Sequence, residues 1–196
     1  PSQKEKAIEI IEQVKGFRFL DGRDLTGFVD GTENPQGRHR REVALVNEAD
    51  DETFASGSYL HVQRYKHNLS LWQSVPEKQQ EDVFGRTKRN NEEYSEKAAT
   101  AHTKRTSLKD AQGNNIEILR QSMPYGHLKV QGLMFVSYCH TPEHFALILK
   151  SMIYGDGQGN YDHMLKYTQA ETGAAFFAPS INFLESQGVE HFEEVF

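Results

Sequence analysis

Along the first fifteen positions, Ala7, Ile8, Ile11 and Val14 recur at helical spacing, and Ser2 can accept a first-turn N–H, so the pattern predicts an amphipathic helix over Ser2–Lys15. A short strand-like run, Phe17–Leu20, follows, and the Gly, Asp, Asn and Thr content of Asp21–Arg41 predicts loop. Ser58–Tyr65 alternates, with Tyr59, His61 and Gln63 on one face and Leu60, Val62 and Arg64 on the other, which is the period of a strand. Pro76 suits the first turn of a helix that Gly85 would stop. Ser95–Thr106 has room for a helical turn around His102. Ile116–Leu119 and Gly132–Tyr138 read as strands of a central sheet. Thr141-Pro142-Glu143 opens a helix with Phe145, Ile148, Leu149 and Met152 on one face, Asp156–Asn160 breaks it, and a last helix is expected over Tyr161–Thr168. Strands interleaved with amphipathic helices, without repeats or a linker, imply one α+β domain: an antiparallel sheet covered by helices on one side.

Composition narrows the function classes. The 196 residues carry 22 Lys+Arg against 28 Asp+Glu, a net charge of −6, which argues against a general nucleic-acid binder. The longest apolar runs are too short to cross a bilayer, so no membrane partner is expected. The single cysteine, Cys139, excludes an internal disulfide and fits a reducing compartment. The chain begins Pro-Ser-Gln-Lys without Met, so a targeting segment lies beyond what this sequence decides.

Candidate chemistry is sparse. There is no nucleophile elbow, no Walker-type loop and no dinucleotide fingerprint, and Cys139 sits in an apolar strand where a thiol is inert packing. Gly155-Asp-Gly-Gln-Gly159 follows a helix and reads as its C-terminal stop. His140 and His144 straddle a helix start and are expected to bond locally or face solvent, as are the other scattered histidines. One segment stands out: Gly27-Phe28-Val29-Asp30-Gly31-Thr32-Glu33-Asn34-Pro35. A carboxylate between glycines can be held where backbone approaches a ligand, although an ordinary Asp-Gly turn explains the same residues.

That segment resembles the Gly-x-x-Asp-Gly signature of the dye-decolorizing haem peroxidases, and the resemblance runs on. Gly57–Trp72 and Val83-Phe84-Gly85-Arg86-Thr87-Lys88 are similar to the family's middle region. Ala98-x-x-Ala101-His102 resembles the segment with its haem-ligating histidine, and Ile118–Gly126 the segment with its distal arginine, here Arg120. Gly173–Ser180 is similar to its closing motif. Asp30 precedes His102 by 72 residues, and Arg120 follows it by 18. Family members are usually longer, with two ferredoxin-like halves, and this chain looks like the C-terminal, haem-binding half over residues 1–196. The resemblance therefore implies a ferredoxin-like antiparallel sheet of the dimeric α+β barrel type.

It also implies roles. Haem b would be the cofactor, with His102 on the iron and Asp162 behind its other ring nitrogen, a helix start being the lesser reading of Asp162. Asp30 would move the proton of hydrogen peroxide and Arg120 would stabilise the developing negative charge. Gly31 and Asn34 belong to the implied cofactor pocket. Leu133 and Phe135 would line it, or simply pack the core. Trp72 and Tyr65 could relay electrons from bulky dyes, with ordinary packing as the bland alternative. A carboxylate base stays ionised to lower pH than an imidazole, so oxidation is expected to run best on the order of pH 4–5. The expected partners are peroxide and small aromatic reductants. A cytoplasmic homo-oligomer is expected, which the family's other half could complete. Two other classes remain open at this point: a haem carrier or iron-releasing protein, and a non-catalytic oligomeric module.

Overall fold

The structure is a computed structural model that describes residues 9–187. Its centre is a five-stranded antiparallel sheet. Strand β1 (Ser58–His67) lies between β6 (Val130–Cys139) and β7 (Thr168–Ala178), while β4 (Leu119–Arg120) and β5 (Met123–His127) both pair with the far side of β6. A small separate hairpin joins β2 (Leu108–Lys109) to β3 (Asn115–Ile116). The chain is thus α+β, and its sheet stays open, without closing into a barrel, among the described residues.

The alternation in β1 does what its period predicts. Tyr65 pairs with Leu133 and Gln63 with Phe135, so these four side chains share one sheet face with His61 and His67. Across from that face runs helix α5 (Glu143–Tyr154), whose Phe145, Ile148, Leu149 and Met152 point into the same space. Pro142 precedes its first turn without a side-chain cap, and the Thr141 hydroxyl accepts from the Glu143 N–H at 3.3 Å. Gly155 ends it at φ 66°, as the glycine run implied.

Helices α1 (His39–Ala44), α2 (Leu69–Ser74), α3 (Glu77–Phe84), α4 (His102–Thr106) and α6 (Ile181–Ser186) complete the described elements. A second apolar cluster of Phe28, Trp72, Val83 and Met164, with Phe84 and Tyr167 against it, ties α2 and α3 to the 24–30 turn. Trp72 is 2% exposed and gives its indole N–H to the Thr26 carbonyl at 2.9 Å, so truncating it to Ala should cost about 3–5 kcal/mol. Gly85 stops α3 in the left-handed region, φ 81°, and a Cβ there would lie 2.4 Å from the Thr103 hydroxyl oxygen. Only glycine lets α3 come this close to the helix that carries His102.

Phe17–Leu20 carries an isolated bridge rather than a strand, and Ile116–Leu119 divides between β3 of the small hairpin and β4 of the main sheet. Three further expectations need correction. Within the described part of Ser2–Lys15, residues 9–15 form no helix, and the rest of that span lies outside the described residues. Ile10 and Ile11 are 80% and 93% exposed, so the stripe has nothing to pack on, and a short helix without packing is marginal in water. Tyr161–Thr168 is not a full helix: a 3₁₀ turn covers His163–Lys166 and β7 begins at Thr168. The loop over Asp21–Arg41 ends early, because α1 starts at His39.

Candidate active site

Between the β1–β6 face, α4 and α5 lies a cavity of about 410 Å³, within the range of small-molecule pockets. His61, Gln63, Tyr65 and His67 line it from β1, Leu133 and Phe135 from β6, and His102 from the start of α4. Asp30 and Arg120 line it as well.

His102 is oriented by a chain of buried bonds. Its Nδ1 lies 2.6 Å from Asp162 Oδ2, and Asp162 is fully buried. The other Asp162 oxygen, Oδ1, accepts the Met164 N–H at 2.9 Å. Its backbone N–H donates to the Met152 carbonyl of α5, and its carbonyl accepts the Leu165 N–H. His163 N–H donates to the Thr100 carbonyl, two residues before His102, which brings the 3₁₀ turn against α4. Burial alone would pull the imidazole's pKa down. The charge and hydrogen bond of Asp162 outweigh that, Arg120 opposes them, Asp30 adds to them, and the net is a raised value. A buried carboxylate beside Nδ1 keeps the ring proton there and leaves Nε2 as the nitrogen available to a ligand. Nε2 has no hydrogen-bond partner among the described residues, and the side chain remains 23% exposed.

The charged groups of the 24–34 turn and β4 are positioned differently. Asp30 N–H donates to the Gly22 carbonyl at 3.0 Å, and its carboxylate makes no hydrogen bond or ion pair among the described residues. Arg120 is held by its backbone. Asn34 Oδ1 accepts the Arg120 N–H at 2.9 Å, and Asn34 Nδ2 donates to the Arg120 carbonyl at 2.8 Å. Gly31 supplies the turn that aims Asn34: its φ is +77°, the Asn34 N–H donates to its carbonyl, and a Cβ would sit 3.0 Å from Asn34 Nδ2. Gly31, Asn34 and Asp162 therefore lie behind the cavity wall, whereas Asp30, Arg120, His102, Leu133 and Phe135 lie on it.

Trp72 and Tyr65 are not surface groups. Trp72 is in the core cluster, and Tyr65 faces the cavity with its phenol pushed up to about 12 by burial and the field of Asp162. Cys139 is fully buried with its thiol pushed up by burial, in keeping with inert packing. The rings of His140 and His144 stand 5.1 Å apart, closer than their separation by a helix start implied, and each Nδ1 meets a carbonyl, of Val43 and Glu117 respectively. Sequence reasoning passed over His61, His67 and Asp24 as cavity residues. The alternation of β1 already put His61 on the face with Gln63, which was the available signal. Among the described residues, no cluster of three or more His, Cys, Asp or Glu could hold a bare metal ion.

Comparison with known proteins places the chain in a family. The family model for the C-terminal part of Dyp-type peroxidases matches residues 21–183. A dye-decolorizing peroxidase of Rhodococcus erythropolis is 40% identical over 183 residues, covering 91% of this chain and 53% of the relative. Among solved structures, a Dyp-type protein from Shewanella oneidensis superposes with a TM-score of 0.88 at 61% identity, covering 91% of this chain and 58% of that one. Rhodococcus jostii DypB, in a variant solved in complex with haem, superposes at 0.87 with 38% identity over 91% and 59% of the two chains. The chain spans about half the length of the curated relatives it matches. By the family match and the identities together, the chain belongs to the Dyp-type, or dye-decolorizing, peroxidase family, in its C-terminal part.

Proposed function

We propose that this chain is the haem-binding half of a peroxidase that reduces hydrogen peroxide and oxidises small aromatic donors such as dyes and phenols. The observation that carries the proposal is the His102–Asp162 pair in a cavity that Asp30 and Arg120 also line. The donor set fits haem b. A wall including Phe28, Leu133, Phe135 and Leu149 suits a flat apolar macrocycle, and His102 Nε2 has no competing partner among the described residues.

In this reading His102 binds the iron and Asp162 keeps the proton on Nδ1, which strengthens the ring as an electron donor. Bound haem supplies the iron at which peroxide binds and the electrons that part its two oxygens. Asp30 would accept one proton of hydrogen peroxide and return it to the oxygen that leaves as water. A carboxylate without a hydrogen-bond partner is free to take that proton and release it again. Arg120 holds a fixed positive charge toward the charge that develops as the O–O bond lengthens. Two one-electron donors and two protons then complete the reduction of one peroxide to two waters. Asn34 acts at one remove, by fixing the backbone from which Arg120 extends.

No helix among the described residues is long and apolar enough to cross a membrane. A cytoplasmic homo-oligomer is the assembly we read with this function. The oligomer is supported by exposed Met123 and Phe176 on the sheet face away from the cavity. The test is to load the chain with haemin and follow dye oxidation with peroxide. Turnover with the iron retained is expected, whereas release of iron-free porphyrin with little turnover would establish a haem-handling protein instead.

A further inference from the structure

Where β1 gives way to α2 lies a second space that the proposed chemistry leaves unused. It is an open cleft of about 650 Å³. Lys66 from β1, Lys129 from the β5–β6 turn and Lys166 from the 3₁₀ turn line it, and no Asp or Glu does among the described residues. All three lysines are exposed. In a chain of net charge −6, three ammonium groups around one concave surface make a local positive field that draws in anions. One layer of side chains divides this cleft from the inner cavity, since His67, Leu165 and Thr168 line both. Tyr167 gives the cleft an aromatic wall. It is half-buried, and its backbone is fixed: its N–H donates to the Met164 carbonyl at 2.9 Å, and its carbonyl accepts the Asn68 N–H at 2.8 Å. Inward, its ring meets the Trp72 indole edge-on, with centres 4.9 Å apart. Trp72 meets Phe84 at 5.9 Å, and Phe84 meets the His102 ring at 5.7 Å. Ring contact therefore runs unbroken from the cleft to the imidazole. Packing explains why aromatic rings cluster, but it does not call for a line of them from an acid-free lysine cleft to this histidine.

We propose that this cleft docks an aromatic electron donor carrying a sulfonate or carboxylate group, and that Tyr167 passes the donor's electron inward through Trp72 and Phe84 to haem held at His102. The docking site stands on the cleft alone, while the electron route rests on the reading of His102 as the haem ligand. The donor's anionic group pairs with the lysines, and its ring lies against Tyr167. Electrons and protons balance along the line. Trp72 yields one electron to haem that peroxide has oxidised, and the Phe84 ring bridges the gap without being oxidised itself. The indole N–H is buried against the Thr26 carbonyl at 2.9 Å, which is no base, so Trp72 gives up an electron and keeps its proton. Tyr167 refills Trp72 and releases its phenol proton to solvent. A donor with an oxidisable hydroxyl then returns one electron and one proton to Tyr167 and leaves as a radical. Two such passages supply the two electrons that one peroxide requires.

Two measurements test this, and the first needs no haem. The labelled full chain is titrated with para-phenolsulfonate and followed by nuclear magnetic resonance. The amides of Lys66, Gln131, Tyr167 and Gln169 are expected to move. Replacing the three lysines together, Lys66→Gln, Lys129→Gln and Lys166→Gln, should weaken binding by about tenfold, and high salt should weaken it in the parent. Shifts centred elsewhere, or an affinity that the triple substitution leaves unchanged, overturn the docking site. In the second, the haem-loaded chain receives peroxide and a nitroso spin trap without a donor, and the trapped adduct is located by peptide mass spectrometry. The adduct is expected on Tyr167 and should be lost in Trp72→Phe, whose folding is checked by circular dichroism. Should that variant not fold, Phe84→Leu interrupts the same line. An unmodified Tyr167 in a chain whose Soret band responds to peroxide overturns the route, as does a Tyr167 adduct that these substitutions leave intact. A Soret band that ignores peroxide defeats the peroxidase reading and the electron route with it, and the titration still decides the docking site.

Discussion

Asp162 is engaged at all four of its polar atoms, by Met152, Met164, Leu165 and His102, whereas Asp30 is held through its backbone N–H and leaves its carboxylate without a partner among the described residues. Arg120 follows Asp30 rather than Asp162: Asn34 grips its N–H and C=O and the guanidinium makes no ion pair among those residues. The two ways of holding a carboxylate suit two tasks. A group that sets the orientation of a ligand should be saturated and immobile, since any slack misaligns the bond it supports. A group that exchanges protons must keep an acceptor free, and what needs fixing is only the backbone from which it reaches.

Breaking the saturated side should have the largest effect. His102→Ala is expected to weaken haem binding by more than about 100-fold, beyond what loss of an outer partner causes, read from the Soret band in a haemin titration. Asp30→Asn should leave that band in place and slow the reaction with peroxide by about 10²–10⁴-fold, measured by stopped flow. Asp162→Asn removes a buried acceptor rather than the ligand. A loss of about 10–100-fold in haem affinity or activity is expected, with a shifted Soret maximum as the sign that the imidazole has changed.

Smaller effects bear on the turn and on β4. Asp24 is raised in the folded chain, so the stability it contributes is fully present below the ordinary carboxylate value and is lost as pH rises through about 6. His67 is lowered, so its contribution is present above the ordinary imidazole value and lost as pH falls toward about 4. Each difference amounts to about 3 kcal/mol at most, and over pH 4–6 the two oppose. Relative to the parent, Asp24→Asn should therefore lose stability on acidification and His67→Gln should gain it, which urea unfolding across pH would show. Asn34→Ala leaves the Arg120 N–H and C=O without their partner and should cost about 1–3 kcal/mol, with a smaller loss of activity than Asp30→Asn. An activity loss in Asn34→Ala as large as that of Asp30→Asn would mean that Asn34 touches the reactants itself.

Local periodicity makes the cavity walls legible in the sequence. The alternation of β1 puts His61 and Gln63 on one face, and the stripe of α5 collects Phe145, Ile148, Leu149 and Met152, all of which meet in the cavity. Elements without their own signal stay hidden. β7 runs Thr-Gln-Ala-Glu-Thr-Gly-Ala-Ala, poor in strand formers, and exists because β1 offers ten paired positions to it. The six residues of α2 are too few to show a period. The N-terminal stripe misleads in the opposite sense, since its period has no surface to pack on. Site geometry lies further out of reach: His102 and Asp162 are 60 residues apart and are brought together only by the family resemblance, while Asn34 and Arg120 are 86 apart and their pairing is seen only in the structure.

The central claim is that a frozen ligand pair and a free-ended acid act on one bound group. Its most direct test is a stopped-flow absorbance measurement on the haem-loaded chain mixed with one equivalent of hydrogen peroxide, parent against Asp30→Asn. The same resting Soret band is predicted in both proteins, with a rapid spectral change in the parent and one at least about 100-fold slower in the variant. Equal rates in the two proteins, or a Soret band that survives unchanged in His102→Ala, would contradict it.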